Sequence, residues 1–216
     1  MPQKNERPLA GKTLIERARD AAVASGAIDR VVVSTDSEAI ANLARSLEIE
    51  VPFMRPAELA SDEAPMFGVI AHAVSELEAD GYRADAIALL QPTSPARTGD
   101  DIRAAVTLLE RSPGATSVVS VAQVPAHFAP HWVFWVEDGE LKRAVPEGAL
   151  IGRRQDVPPA YYRDGTIYLS RRETIVEGGD LYGSHVLPLL VDRDRVVTID
   201  TPDDWERAER LLGGRP

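Results

Sequence analysis

Three short aliphatic runs, Arg30–Ser34 (RVVVS), Ala86–Leu90 (AIALL) and Ser117–Val121 (SVVSV), alternate with segments whose apolar residues recur at helical spacing. This alternation constrains the fold most strongly, because a strand that is apolar along its whole length must be covered on both faces. An α/β sheet with helices on either side, a three-layer αβα arrangement, satisfies that demand. The same reading gives helices over Leu14–Ser25, closed by Gly26, over Ser37–Leu47, capped by Ser37, and over Met66–Asp80 and Asp100–Glu110. Glu50–Phe53 is a further expected strand.

Beyond Val121 the texture changes. Pro125, Pro130, Pro146, Pro158 and Pro159 break up two aromatic-rich stretches that cannot be long helices. Trp132–Val136 and Leu141 flank Asp138-Gly139, a pair that supplies the positive φ values of a tight hairpin turn. Gly165–Leu169 and Val186–Val191 resume as strands, and Pro202–Leu212 closes as a helix with Thr201 as N-cap and Pro202 at its first position. A doubly wound domain ordinarily opens with a buried strand and a phosphate-binding turn. Here Met1–Asn5 stands ahead of the first helix with no strand before it, so an earlier strand and loop are expected upstream.

The 216 residues, 44% of them hydrophobic, suffice for one domain, 1–216, with a single core. Acidic residues outnumber basic ones, 34 to 24, for a formal charge of −10. That balance argues against a nucleic-acid partner, since phosphate backbones select basic stripes. An anionic small molecule would have to be met by a few local cations. With no cysteine there is no disulfide, thiolate nucleophile or cysteine metal site. No apolar run approaches the about 20 residues of a membrane helix, and the polar N-terminus does not read as a secretory signal. The expectation is a cytoplasmic protein without a membrane partner.

Open α/β sheets bind ligands outside the carboxyl ends of their strands. Ser34–Asp36, Gln91–Pro95 and Thr198–Asp200 fall there. Each can also be read as helix capping or turn chemistry. Gln91–Pro95 is the least ordinary of the three: an amide follows a fully apolar run, and prolines on both sides of Thr93-Ser94 stiffen a polar shelf suited to a ribose or sugar.

Arg55–Asp62 (RPAELASD), Leu90–Pro95 (LQPTSP) with Arg97-Thr98, and Ile199–Trp205 (IDTPDDW) occur in one order and spacing. On these motifs the chain resembles the acylneuraminate cytidylyltransferases, also called CMP-sialic acid synthetases. The resemblance runs from Lys4 to the last helix. It implies a Rossmann-like nucleotidyltransferase sheet with a smaller dimerisation excursion at about 125–187, and a homodimer. It implies that Lys4 and Asn5 end a phosphate-binding loop, the lysine lying on the triphosphate as a point charge. Arg55 and Asp62 would lie beside the nucleotide base, and Gln91, Thr93 and Ser94 would reach nucleotide and sugar. Arg154, Gln155, Asp164 and Tyr168 would contact the acidic sugar, Gln91 joining them, and Asp200 would hold magnesium. The substrates implied are CTP and a sialic-acid-like sugar.

The chain departs from the family pattern in several places. Thr198 stands where the family carries a first aspartate before the last helix, Asp164 where it often has asparagine, and Tyr162 where it often has arginine. One aspartate with phosphate oxygens and water suffices for magnesium. The implied reaction is in-line attack by the sugar's anomeric hydroxyl on the α-phosphorus of CTP, which rests on positioning and charge neutralisation. His72, His127, His131 and His185 are too scattered to name a base. Two alternatives stay open: a nucleotidyltransferase of the same fold for another acidic sugar or for GTP, and a catalytically silent protein that binds nucleotide or only dimerises. With Lys4-Asn5 at the end of a loop expected upstream, the 216-residue chain by itself is expected to have little activity, and an upstream extension to restore it.

Overall fold

The computed structural model describes residues 3–61, 63–146 and 151–213. A short strand pair, β1 (Pro8–Leu9) and β2 (Lys12–Thr13), leads into α1 (Leu14–Ser25), followed by α2 (Glu38–Ser46), α3 (Met66–Ala79), β3 (Ala86–Leu89), α4 (Gly99–Glu110) and β4 (Ser117–Gln123). The second half holds β5 (Phe134–Glu137), β6 (Glu140–Arg143), β7 (Tyr161–Arg171), α5 (Arg172–Val176), β8 (Val186–Leu190) and α6 (Pro202–Gly213).

The expected caps form. Thr13 and Ser37 side chains accept from Glu16 and Ile40 N–H groups, and Gly26 closes α1 at φ 61°, a conformation that costs a residue with a Cβ. Thr98 and Asp101 form a reciprocal capping box at the start of α4.

The main sheet has the order β3-β7-β4-β8. β7 runs antiparallel to β3 and β4, while β4 and β8 are parallel. The sheet is therefore mixed rather than wholly parallel, because β7 re-enters from the long connection after β4 in the opposite direction. β3, β4 and β8 share one direction, so the loops after β3 and β8 leave from the same edge.

Side-chain alternation along β3 accounts for the layers. Ala86 and Ala88 pack on the cluster built by Ala21, Ala22, Ile102, Ala105, Leu109, Val118 and Ile167, which joins α1 and α4 to the sheet. Ile87 and Leu89 face Ile70, Val74 and Ile175 of α3 and α5 on the other side. Successive strand residues point to opposite faces, so an all-apolar strand serves two cores at once.

Two expected strands shrink. Arg30–Ser34 and Glu50–Phe53 meet at one parallel bridge, Val32 to Glu50, with the Val33 N–H donating to the Glu50 carbonyl at 2.9 Å. An apolar run becomes a ladder strand only where a neighbour presents its backbone, and among the described residues Glu50 is the one partner of that run. β3 likewise pairs with β7 alone, and its four apolar residues are only half-buried.

Within the stretch expected as an excursion, β7 instead lies inside the main sheet, and it is longer than the expected Gly165–Leu169. The hairpin of β5 and β6 pairs only with itself, turning at Asp138 and Gly139 with φ of 53° and 80°.

Candidate active site

The segment carrying Lys4 and Asn5 is held over the start of α6. Leu9 is fully buried with Val197, Ile199, Trp205 and Ala208, and the Arg7 guanidinium lies 4.5 Å from the centre of the Trp205 ring. β1 and β2 turn at Ala10 and Gly11, both at positive φ, as a two-residue hairpin requires. So placed, the Lys4 ammonium donates to the Ile199 carbonyl at 2.8 Å and to Asp200 Oδ1 at 3.2 Å. Asn5 Oδ1 is buried without a hydrogen-bond partner among the described residues. Thr201 caps α6, its hydroxyl accepting from the Asp204 N–H at 3.3 Å, while Asp204 Oδ2 accepts from the N–H groups of Asp200 and Thr201. Hydrogen bonds from Thr201 hold the Asp204 carboxyl below the usual range. Asp204 is thus spent on capping, and Asp200, its side chain 70% exposed, faces outward.

The Gln91–Pro95 shelf joins this end directly. The Ile199 N–H donates to the Thr93 carbonyl at 2.9 Å, and the Thr198 hydroxyl donates to the Asp164 carbonyl at 3.2 Å. β7 is irregular here: Val119 pairs with Tyr168 and Val121 with Arg163, so the ladder shifts across Asp164–Ile167. The buried Ser120 hydroxyl repairs the gap, accepting from the Ile167 N–H at 2.8 Å and donating to the Ile167 carbonyl at 3.1 Å. Gly165 sits in the bulge at φ 82°. A Cβ there would lie 3.0 Å from Ser94 Oγ, 3.3 Å from Gln91 Oε1 and 3.9 Å from Thr198 Oγ1. The missing side chain is the space on which these three polar groups converge. Among the described residues Ser94 Oγ is buried and unpartnered, whereas the Asp164 carboxylate accepts from the Thr166 hydroxyl and N–H.

Arg55, Arg154 and Gln155 make their described contacts elsewhere. Arg55 binds the end of the Arg30–Ser34 run, donating to the Ser34 carbonyl at 2.6 Å, with its own N–H on the Thr35 carbonyl at 2.8 Å. Its Nε is buried and has no partner among the described residues. Asp62 lies outside the described residues. Tyr168 packs edge-on to Tyr182, ring centres 6.3 Å apart, and burial, then Tyr182, pushes its phenol up. Arg154 and Gln155 line an open cleft of about 710 Å³ together with His127 and Arg193. None of Lys4, Gln91, Ser94, Asp164 or Asp200 lines that cleft.

Sequence reasoning missed Ser120, Gly165 and Arg193 as contributors. A glycine inside a strand pattern is a known bulge signal and could have exposed Gly165. Nothing local marks Ser120, whose role depends on a strand 47 residues away.

Among the described residues no three His, Asp or Glu side chains converge on a cation position. The donor set at Asp200, one outward carboxylate whose Oδ1 also meets the Lys4 ammonium, fits a magnesium ion that brings its other ligands as water and phosphate.

Residues 1–211 match a family profile described as cytidylyltransferase. The chain is 34% identical over 215 residues to a CMP-N,N'-diacetyllegionaminic acid synthase of Legionella pneumophila, covering 98% of this chain and 90% of that protein. It is 32% identical over 208 residues to an N-acylneuraminate cytidylyltransferase of Streptococcus agalactiae, covering 95% of this chain but 48% of that longer protein. A pseudaminic acid cytidylyltransferase of Campylobacter jejuni is 26% identical over 211 residues, which span 98% of this chain and 90% of that one. Among solved structures, a CMP:2-keto-3-deoxy-manno-octonic acid synthetase complexed with CTP superposes with a TM-score of 0.73 at 16% identity, covering 99% of this chain and 92% of its own. That likeness carries the fold, a Rossmann-like α/β sheet. With the profile across nearly the whole chain and a relative this similar along its length, the chain belongs to the cytidylyltransferase family and is a nucleotidyltransferase.

Proposed function

We propose that the protein transfers CMP from CTP to an acidic, sialic-acid-like nonulosonic sugar and releases pyrophosphate. The observation that carries this reading is the meeting of Lys4, Asp200, the Gln91–Ser94 shelf and the Asp164–Gly165 bulge at one sheet edge. The anomeric hydroxyl oxygen forms a bond to the α-phosphorus, the bond from that phosphorus to the bridging oxygen breaks, and pyrophosphate leaves with the electron pair. The hydroxyl proton passes to solvent or a solvent-linked group. The names of the relatives, which act on legionaminic, acylneuraminic and pseudaminic acids, support the sugar class.

Lys4 neutralises triphosphate oxygens, Asn5 and the shelf hydroxyls of Thr93 and Ser94 fix the nucleotide, and Arg55 borders the base. Gln91, Asp164 and Tyr168 orient the sugar. Asp200 would hold magnesium, which supplies positive charge at the phosphates. Arg154, with Gln155 and with Arg193 across the same cleft, gives charge-assisted hydrogen bonds to a carboxylate. Action in the cytoplasm, where CTP is made, accompanies this reading.

The protein works as a homodimer through the hairpin. Phe134, Trp135, Val136 and Leu141 are all exposed on a two-stranded ribbon, an element that is marginal alone in water. Nearby Phe128, Tyr161 and Tyr162 are exposed too, and buried aromatics dominate interfaces. The test is pyrophosphate release from CTP, against ATP, GTP and UTP, with N-acetylneuraminic, legionaminic, pseudaminic and octulosonic acids. Release that depends on CTP and on a nine-carbon acid is expected. Release with GTP alone, or with no acidic sugar, overturns the reading.

A further inference from the structure

Arg97 is a buried cation that no carboxylate meets by a hydrogen bond among the described residues. It is 7% exposed, and burial, opposed by Asp164 and Asp101, pushes its guanidinium down to about 10. Among the described residues it donates to two backbone carbonyls rather than to a carboxylate. Nε donates to Thr166 and Nη2 donates to Gln91 at 2.7 Å. Asp101 is taken by Arg195, at 2.8 and 3.3 Å, and the Asp164 carboxylate by Thr166. A buried charge is costly unless its geometry does something an apolar side chain cannot. The planar guanidinium fork grips two carbonyls on separate chain segments from nitrogens held at a fixed spacing, which an ammonium's single nitrogen or a hydrocarbon does not reproduce.

Those two carbonyls belong to the two halves of the candidate site. Gln91 begins the shelf, and Thr166 follows Gly165 in the β7 bulge, where Gln91 Oε1 and Ser94 Oγ approach the empty Cβ position. The backbone links within the shelf are long, 3.2 Å from the Ser94 N–H to the Gln91 carbonyl and 3.4 Å from the Arg97 N–H to the Ser94 carbonyl. Local hydrogen bonds alone therefore hold the shelf loosely.

We infer that Arg97 is a positioning residue, a clamp that locks the Gln91–Ser94 shelf against the Asp164–Thr166 bulge and so fixes the sugar-facing side of the site. The kinetic part of this inference rests on the proposed function; the structural part does not. The nucleotide-facing side keeps a separate anchor, the Ile199 N–H on the Thr93 carbonyl, with Lys4 on Ile199.

The experiment compares wild type with Arg97→Lys, which keeps the charge but loses the fork, and with Gly165→Ala, which pushes the shelf from the bulge while leaving Arg97 intact. Without substrate, hydrogen–deuterium exchange is expected to be at least about tenfold faster in peptides covering 91–98 and 163–168 of R97K, with α1 and α3 unchanged. With substrates, KM for the acidic sugar is expected to rise about tenfold in both variants, and KM for CTP, still held by Lys4 and by the Ile199 anchor on Thr93, to rise less, by about threefold. Unchanged exchange in those peptides overturns the clamp, as does an equal rise in both KM values. If R97K does not fold, Arg97→Gln, which also lacks the fork, decides by the same two readouts. If wild type uses no acidic sugar, the functional proposal fails and the exchange data alone judge the clamp.

Discussion

The end of the sheet that holds Gln91, Asp164 and Asp200 and the ribbon formed by β5 and β6 are built on opposite terms. At the first, side chains are placed by backbone: Ser120 fills the bulge, Thr93 carries Ile199, and Thr198 carries Asp164. At the second, β5 is exposed at every residue, and the nearby cleft presents Arg154, Gln155 and Arg193 from single 3₁₀ turns. The contrast separates two ways of supplying functional groups. A reacting centre has to be held before substrate arrives, because the rate depends on geometry within a fraction of an ångström. A peripheral surface can wait for a partner or a substrate to order it.

The largest effect is expected at the tip of the rigid end. Asp200→Ala should lower magnesium-dependent turnover by at least about 100-fold, the scale of losing a charge-stabilising group. The melting temperature should stay near wild type, because the Thr201 and Asp204 cap remains intact. Turnover as a function of magnesium concentration is the measurement, and wild-type rates at limiting magnesium would remove Asp200 from the site.

Ser120→Ala tests whether the bulge depends on one hydroxyl. It leaves the Ile167 N–H buried and unpaired, so chemical denaturation should show a loss of about 1–3 kcal/mol. A loss under about 0.5 kcal/mol would mean that the bulge holds itself.

A smaller effect follows from Asp101, which caps α4 and pairs with Arg195. Burial would raise its carboxyl, but hydrogen bonds from Arg195 and Thr98 outweigh that and hold it below the ordinary range. A depressed folded value means that the stabilisation is full above the unfolded pKa, about 3.9, and is lost as pH falls through the folded one. Asp101→Asn should therefore cost about 1 kcal/mol at pH 7, and the difference from wild type should shrink below about pH 4. A difference constant from pH 7 to pH 3 would refute the linkage.

The smallest change in fold stability, within about 0.5 kcal/mol, is expected for Trp135→Glu on the exposed ribbon. Its effect should appear instead in light scattering, as a shift from dimer to monomer. A wild-type monomer at micromolar concentration would remove the dimer and leave the ribbon unexplained.

Much of the rigid end was legible in the chain. The Gln91–Pro95 shelf, the Thr198–Asp200 stretch and the caps at Ser37 and Thr201 lie where local rules put them, because a strand end, a proline pair and an N-cap each act within a few residues. Arg154 and Gln155 share one expected sugar-contacting stretch with Asp164 and Tyr168, and the cleft they line is bordered by neither of those two, since sequence order does not say how a short 3₁₀ turn packs. The Arg30–Ser34 run read as a full strand and makes one bridge, because a ladder needs a partner that the run itself cannot specify.

Periodicity and capping, which are decided by each residue's near neighbours, carried the layered α/β character and the segments at its reactive edge. The direction of β7, the bulge closed by Ser120, the polar groups meeting at Gly165 and the reach of Lys4 to Asp200 are contacts between residues from 33 (Gly165 to Thr198) to 196 (Lys4 to Asp200) positions apart. Such contacts exist only after packing has chosen which backbone lies beside which, because only Leu9 buried against Trp205 brings Lys4 there and only the antiparallel return of β7 brings Gly165 to Ser94.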